Sequence, residues 1–381
     1  MKILFIPWTF SNGGGSEKIL LNLMTSLKKL NFDISLLEVE KGHHNFNTNS
    51  NIFKYLGFIF KNPILENSIF YKIKRKLLIL LLENFTSIIK NLYIKEDFDI
   101  VISFNYLYPS FLASTFKENK IMWFHGSIEN LDYSNLNGRE KMKIKSLYKK
   151  QKRALQKADY VVAISNETEL SIRHLYPEVS DKLVKISNGY DFSIITEQSN
   201  AFSVDPIDII AIGRLDENKN FKMLIDSAKE LIKKIPNLKI KILGEGNQYE
   251  LLNTLIVENS LENNIELLGY ISNPYPYLKA SSILVLTSKS EGFPTVIVEA
   301  MALDCPFVST NVGGVNELSN NQQCGKVISN PNELTNTLES ILTNESYLSE
   351  MKANCKDYIY KYSLDNQAKE VNSLISSLFK N

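Results

Sequence analysis

The chain has 381 residues, of which 44% are hydrophobic and 22% charged, enough for roughly two or three globular domains that each bury a core. A formal net charge of +1 excludes the strongly basic footprint of a nucleic-acid-binding domain. The three cysteines, Cys305, Cys324 and Cys355, are far apart and form no C-x-x-C, which excludes a disulfide framework and fits a cytoplasmic protein.

Residues 2–7 form the first predicted strand, too short for a signal-peptide core, and no window approaches the ~20 apolar residues of a membrane span. The loop Ser11-Asn12-Gly13-Gly14-Gly15-Ser16-Glu17 leads into a helix over 17–30. Glycines at such a junction let a phosphate or sugar approach the backbone. Their spacing is not G-x-G-x-x-G. Glu38 and Glu40 lie near the end of the second strand (34–39), but not where a ribose-binding acid is expected, so a dinucleotide dehydrogenase is the weaker reading.

Residues 58–95 are rich in apolar side chains and carry Lys72, Lys74, Arg75 and Lys76. Ile69, Ile73, Leu77, Leu80 and Leu81 recur at helical spacing. Such a basic amphipathic segment suits contact with an anionic inner-leaflet membrane; the alternative is a helix packed on the sheet with its charged side in water. Strands follow at 100–104 and 121–123, and His125 sits at the C-terminal end of the second. His43, His44 and His174 make no metal-ligand spacing. A basic stretch over 139–157 carries nine Lys or Arg against one Glu. Strands at 160–164 and 183–186 and a polar linker at 191–205 complete the first half.

The second half repeats the alternation, with strands at 207–212, 238–243, 265–268, 283–287 and 306–309. Helices are expected at 221–234, 249–258, 295–303 and 331–342. Both halves therefore read as doubly wound, Rossmann-like α/β domains with parallel sheets, facing each other across a cleft. The boundaries are 1–195 and 205–357, with a terminal segment at 358–381. Ligands in such sheets bind at the C-terminal ends of strands. There the sequence places Gly213-Arg214-Leu215 with Lys219, then Gly244, then Gly269-Tyr270-Ile271. Arg as a planar fork and Lys as a point charge suit a diphosphate.

The densest segment is 288–318, SKSEGFPTVIVEAMALDCPFVSTNVGGVNEL. Glu291 and Glu299 flank a helix start marked by Pro294, a favourable first helical residue. Free N–H groups from Thr295 and Val296 onward would receive an anion. Glu299 lies five residues past Pro294, about 7.5 Å along the axis.

This segment resembles the E-x(7)-E signature of retaining glycosyltransferases of family four, which have the GT-B fold. The glycine loop, His125-Gly126, Ala163-Ile164-Ser165, Ile186-Ser187-Asn188-Gly189 and the Gly213 to Lys219 signature extend the resemblance over nearly the whole chain; residues 30–99 depart most. The resemblance implies transfer of a hexose or N-acetylhexosamine from a nucleoside diphosphate sugar, with UDP the favoured nucleotide, to a hydroxyl of a glycan or lipid-linked acceptor in surface polysaccharide assembly. It also implies roles. Gly14, Gly15, Arg214, Lys219, Thr295 and Val296 hold the diphosphate, and Gly292 and Phe293 the sugar. Glu299 accepts from the ribose, Gly244, Tyr270 and Ile271 line the base, and His125 and Glu291 are catalytic. The terminal helix is expected to cross back onto the first domain. No cofactor or metal is expected. Asp97-Phe98-Asp99 matches the D-x-D of metal-dependent transferases of another fold, but it precedes a strand, at the end away from the ligand rim. Two rivals share these features: a UDP-sugar epimerase of the same architecture and a non-catalytic sugar-nucleotide-binding protein.

Overall fold

The computed structural model describes residues 1–11, 15–41, 51–61, 69–126 and 137–379, apart from the side chains of 60, 61, 69–72 and 74. The chain divides into two compact units. Unit 1 is Met1–Tyr190 with Leu364–Asn381, and unit 2 is Asp191–Ser363.

Unit 1 runs β1 (Lys2–Ile6), α1 (Gly15–Lys29), β2 (Asp33–Lys41), β3 (Lys54–Lys61), α2 (Ile69–Asn84), α3 (Thr86–Tyr93) and β4 (Ile100–Ser103). It continues with α4 (Tyr108–Ala113), β5 (Asn119–Phe124), α5 (Gly138–Gln156), β6 (Tyr160–Ala163), α6 (Asn166–Leu175) and β7 (Leu183–Lys185). Its seven strands are all parallel, in the order β3-β2-β1-β4-β5-β6-β7. Ile3–Ile6, Ile100–Ile102 and Ile121–Phe124 are buried throughout, so they appear in the sequence as unbroken apolar runs rather than alternations.

Unit 2 runs α7 (Phe192–Ser199), β8 (Ile207–Ile212), α8 (Phe221–Leu231), β9 (Ile240–Leu243), α9 (Tyr249–Glu258), β10 (Ile265–Gly269) and α10 (Tyr275–Lys279). Then come β11 (Ser281–Leu286), α11 (Thr295–Met301), β12 (Phe307–Thr310), α12 (Val315–Leu318), β13 (Gly325–Ile328), α13 (Glu333–Leu342) and α14 (Glu345–Tyr358). Its six parallel strands are ordered β10-β9-β8-β11-β12-β13. The last helix, α15 (Leu364–Ser377), belongs to unit 1 and packs on α1. Leu364 N donates to Tyr190 O at 3.1 Å, and Tyr160 OH lies 2.9 Å from Ser377 Oγ.

In each unit the first strand sits mid-sheet, with later strands added to one side and then to the other. The connection reverses between β1 and β4 and between β8 and β11. Those two points are where a doubly wound sheet opens a crevice for ligand.

The expected linker at 191–205 is not one. Asp191 accepts from Ser193 N and Ile194 N at 3.1 and 3.3 Å and starts α7. That helix docks beside α10, where Asn273 Nδ2 donates to Gln198 O at 2.9 Å and Phe202 meets Tyr277 edge-on. Its few apolar residues, with Ile195 buried, were hidden among polar ones. Residues 358–363 likewise stay with unit 2, where Tyr358 OH donates to Glu317 O at 2.9 Å.

Candidate functional site

In unit 2 the loop after β8 is folded back on itself. Asp216 accepts from Arg214 Nε at 2.5 Å and from Lys219 N at 3.0 Å. Burial pushes the Asp216 carboxyl up, but these bonds, the Arg214 charge and the Asn218 N–H outweigh it and hold it below its ordinary value. The stem of Lys219 lies over Gly213, where a methyl group would already sit 3.2 Å from its Cε.

Across the β8–β11 reversal the loop meets residues 287–291. Thr287 Oγ1 donates to Lys219 O at 2.8 Å, Lys289 N to Asn218 O at 2.7 Å, and Asn218 Nδ2 to Ser290 O at 3.0 Å. The ammonium of Lys219 reaches Glu291 Oε1 at 2.5 Å, and Ser288 Oγ donates to the same oxygen at 2.6 Å. Both charged side chains are mostly buried, so this is a half-sequestered ion pair at the crevice of unit 2. Ser288 and Asp216 were not singled out from the sequence. The signal was present as Ser-x-x-Glu and Asp-x-x-Lys, short spacings that let one turn close on itself.

The other strand ends stack beside this pair. Gly244 has φ +144, and a Cβ there would lie 1.8 Å from Gly213 O, so only glycine fits between β8 and β9. Gly244 N donates to Gly269 O at 2.8 Å, which brings Tyr270 and Ile271 to the same edge. Tyr270 is 70% exposed, two strands from β8, or about 10 Å laterally.

α11 begins at Thr295, as expected, but Pro294 plays a different part from the one its sequence position suggests. Pro294, with ψ 97, is the N-cap rather than the first helical residue, and its carbonyl accepts from Ile297 N at 3.1 Å. Thr295 and Val296 are therefore the first two helical residues, and Glu299 stands four residues in, about 6 Å along the axis. Tyr275 OH on α10 lies 3.5 Å from Glu299 Oε1. Burial first, then the Glu299 charge, pushes the Tyr275 hydroxyl above its ordinary range, so it stays protonated. Phe293 is buried, with its ring packed against Gly314 and 5.9 Å from Tyr362, so its side chain serves packing within unit 2. The segment is braced from β12: Thr310 Oγ1 donates to Ser288 O at 2.6 Å, and a Cβ on Gly313 would stand 2.2 Å from Glu291 O.

Unit 1 has its own crevice between β1 and β4, bridged by Trp8 N donating to Asn105 Oδ1 at 2.8 Å. Gly14 lies outside the described residues. Gly15 opens α1, and a Cβ there would meet no atom within 4 Å. Glu38 does not sit at a ribose-binding position. It is fully buried and accepts from Phe10 N at 2.8 Å, from Ser11 N and Ser11 Oγ at 3.0 Å, and from Tyr55 OH, clamping the loop that precedes the glycines. Burial and this carboxylate push the Tyr55 hydroxyl upward.

His125 follows β5, its ring 4.1 Å from that of Phe104 and nearly parallel to that of Trp123 at 6.3 Å. Part of the residue stays accessible, but Nε2 is sealed and has no hydrogen-bond partner among the described residues. Burial pushes its pKa down to about 3, so the imidazole is neutral at physiological pH. Asp99 of the D-x-D accepts from Lys2 N at 2.7 Å and anchors the start of β1.

Two family models match consecutive halves of the chain: Glycosyltransferase Family 4 over residues 13–193 and Glycosyl transferases group 1 over residues 194–362. The chain belongs to the family four glycosyltransferases. An uncharacterized glycosyltransferase of Methanocaldococcus jannaschii is 25% identical to it over 372 residues, 95% of this chain and 94% of that one. The N-acetylgalactosamine-N,N'-diacetylbacillosaminyl-diphospho-undecaprenol 4-alpha-N-acetylgalactosaminyltransferase of Campylobacter jejuni is 33% identical over 157 residues, 39% of this chain and 42% of that one. Among solved structures, Anabaena Alr3699/HepE in complex with UDP aligns with a TM-score of 0.75 at 16% identity, covering 99% of this glycosyltransferase and 100% of that chain. That likeness is one of fold, the two-domain GT-B class expected from the sequence.

Proposed function

We propose that this glycosyltransferase moves a hexose or N-acetylhexosamine from a UDP-sugar to a hydroxyl of a glycan or lipid-linked acceptor, with retention of anomeric configuration and without a metal ion. The observation that carries the reading is the Lys219–Glu291 pair at the β8–β11 reversal. A diphosphate entering that crevice exchanges the carboxylate for phosphate on Lys219, and exposed Arg214 turns from Asp216 to join it. Their charge stabilises the departing diphosphate, the task a metal ion performs elsewhere. Glu291, released, accepts from hydroxyls of the donor sugar, and Glu299 accepts from the ribose.

Glu291, once released from Lys219, still accepts from Ser288 Oγ and is occupied by the sugar hydroxyls, which favours a same-face displacement over attack by this carboxylate on the anomeric carbon. The bond from the anomeric carbon to the diphosphate oxygen breaks as the acceptor oxygen bonds on the same face. The acceptor proton passes to the departing phosphate oxygen. The part of neutral His125 that stays accessible meets the acceptor without adding charge, while Nε2 remains sealed. The choice of UDP follows the nucleotide named with HepE, and the acceptor class follows the undecaprenol-linked substrate named for the Campylobacter relative.

Titration of UDP and UDP-sugars by calorimetry, followed by product analysis with lipid-linked acceptors, tests the reading. Micromolar UDP binding that Glu299→Ala or Arg214→Ala weakens by about 1.5–3 kcal/mol supports it. Binding unchanged in both variants rejects the site, and a free epimerised sugar nucleotide formed without acceptor identifies an epimerase instead.

A further inference from the structure

Helices α2 and α3 are packed on unit 1 by one side only. Leu78, Leu82 and Ile89 enter the core. On the other side Ile73, Leu77 and Leu80 of α2, Phe85 at the turn, and Ile88 and Leu92 of α3 are each half exposed or more. On α2 the exposed three follow i, i+4, i+7 spacing, one stripe of a helix. Monomeric proteins seldom leave so many large apolar side chains together in water.

The surroundings of this stripe are basic. Residues 69–93 contain five Lys or Arg and one acid, Glu83, and that acid is paired with Lys150 of α5 at 3.1 Å. The same lysine reaches Asn84 at 3.2 Å, so α5 abuts the end of α2. α5 carries eight Lys or Arg against Glu140, which is occupied in capping its own helix through Asn137 N at 2.9 Å. Lys76, Lys143, Lys145 and Lys149 are exposed, whereas Arg75, also exposed, pairs with Glu40 of β2 at 3.7 Å.

We propose that the α2–α3 face of unit 1 is a docking surface for an anionic lipid bilayer, with the apolar stripe entering the acyl boundary and the α2 and α5 cations meeting headgroup phosphates. Charge decides the occupant: a second copy would bring like-charged helices together, whereas an anionic surface satisfies both the apolar stripe and its rim. Among the described residues no helix is long and apolar enough to cross a membrane, so the contact is peripheral. The proposal stands apart from the transfer reaction, because binding to vesicles is read without donor or acceptor.

Cosedimentation of the whole chain with phosphatidylglycerol-containing vesicles and with pure phosphatidylcholine vesicles tests it. The expected result is binding to the anionic vesicles that falls with salt and drops at least about tenfold in Leu77→Asp/Leu92→Asp. Lys76→Glu/Lys145→Glu should lose about fivefold or more for each cation removed. Circular dichroism and UDP titration, unchanged in both variants, separate lost docking from lost folding. No anionic binding at low salt overturns the proposal. So does a stable wild-type dimer, seen by analytical ultracentrifugation, that the aspartate pair dissociates while vesicle binding is unchanged.

Discussion

Lys219 is paired with Glu291, so any diphosphate must displace a carboxylate to reach it. The two partners should therefore respond oppositely to mutation. Lys219→Ala should weaken UDP binding by about 1.5–3 kcal/mol. Glu291→Gln removes the competitor's charge, so UDP should bind as well as before or better while kcat falls about 10²–10³-fold. Calorimetry with steady-state kinetics separates these outcomes, and equal loss of UDP affinity in both variants would contradict the division of roles. His125 gives a pH prediction. Its folded pKa of about 3 lies below the ordinary 6.5, so the folded state favours the neutral ring. That stability is complete above pH 6.5 and is lost as pH falls from 6.5 toward about 3, where the sealed ring must take a proton. His125→Phe should flatten the acid side of the melting temperature against pH over that window. A parallel pair of curves would mean that burial does not hold the ring neutral.

Elements cooperate here through loops rather than through their faces. Glu38 on β2 and Tyr55 on β3 hold the loop after β1. Glu38→Ala leaves buried N–H groups unpaired and should cost about 3 kcal/mol, against about 1 for Tyr55→Phe, read by urea unfolding. Strands β1, β2, β4 and β5 were legible in the sequence because a parallel sheet buried on both faces leaves mainly apolar runs. Glu38 was noticed as an acid at the end of strand two, yet its task could not be read, because nothing local says that a carboxylate faces inward to backbone N–H groups. The helix at 192–199 was missed for a related reason: its few apolar anchors pack on a helix some eighty residues later. β3, β13 and α14 also went unread, each being short, irregular in pattern or at a sheet edge. Arg214, Lys219, Glu291 and Glu299 were visible in the sequence, whereas Asp216 was not singled out; the fold brings Lys219 and Glu291 together, and what sequence spacing could not give was that they bind each other. Gly313→Ala tests this bracing, since its Cβ would stand 2.2 Å from Glu291 O. UDP-sugar turnover should fall more than thermal stability does; a large drop in melting temperature with intact turnover would argue for a purely structural glycine.

Over the whole molecule the two units differ in how the chain closes them. Unit 2 is one continuous segment, Asp191–Ser363, with its own core around Ile209, Leu224, Ile283 and Val308. Unit 1 needs a second visit by the chain, because Val371, Leu374 and Ile375 of α15 are buried in it. Each of those side chains contributes on the order of 1.5–3 kcal/mol when fully buried, so together they approach the whole stability of a typical domain. A fragment of residues 191–363 should therefore unfold cooperatively on its own, whereas residues 1–190 alone should be partly unfolded or aggregate, recovering when residues 364–381 are joined back through a flexible linker. The fragment also decides where the nucleotide is gripped. If the crevice of unit 2 supplies most of the donor affinity, the fragment should bind UDP within about tenfold of the full chain, a difference of ~1.4 kcal/mol. A well-folded fragment that binds no UDP would reject the crevice of unit 2 as the main grip on the nucleotide.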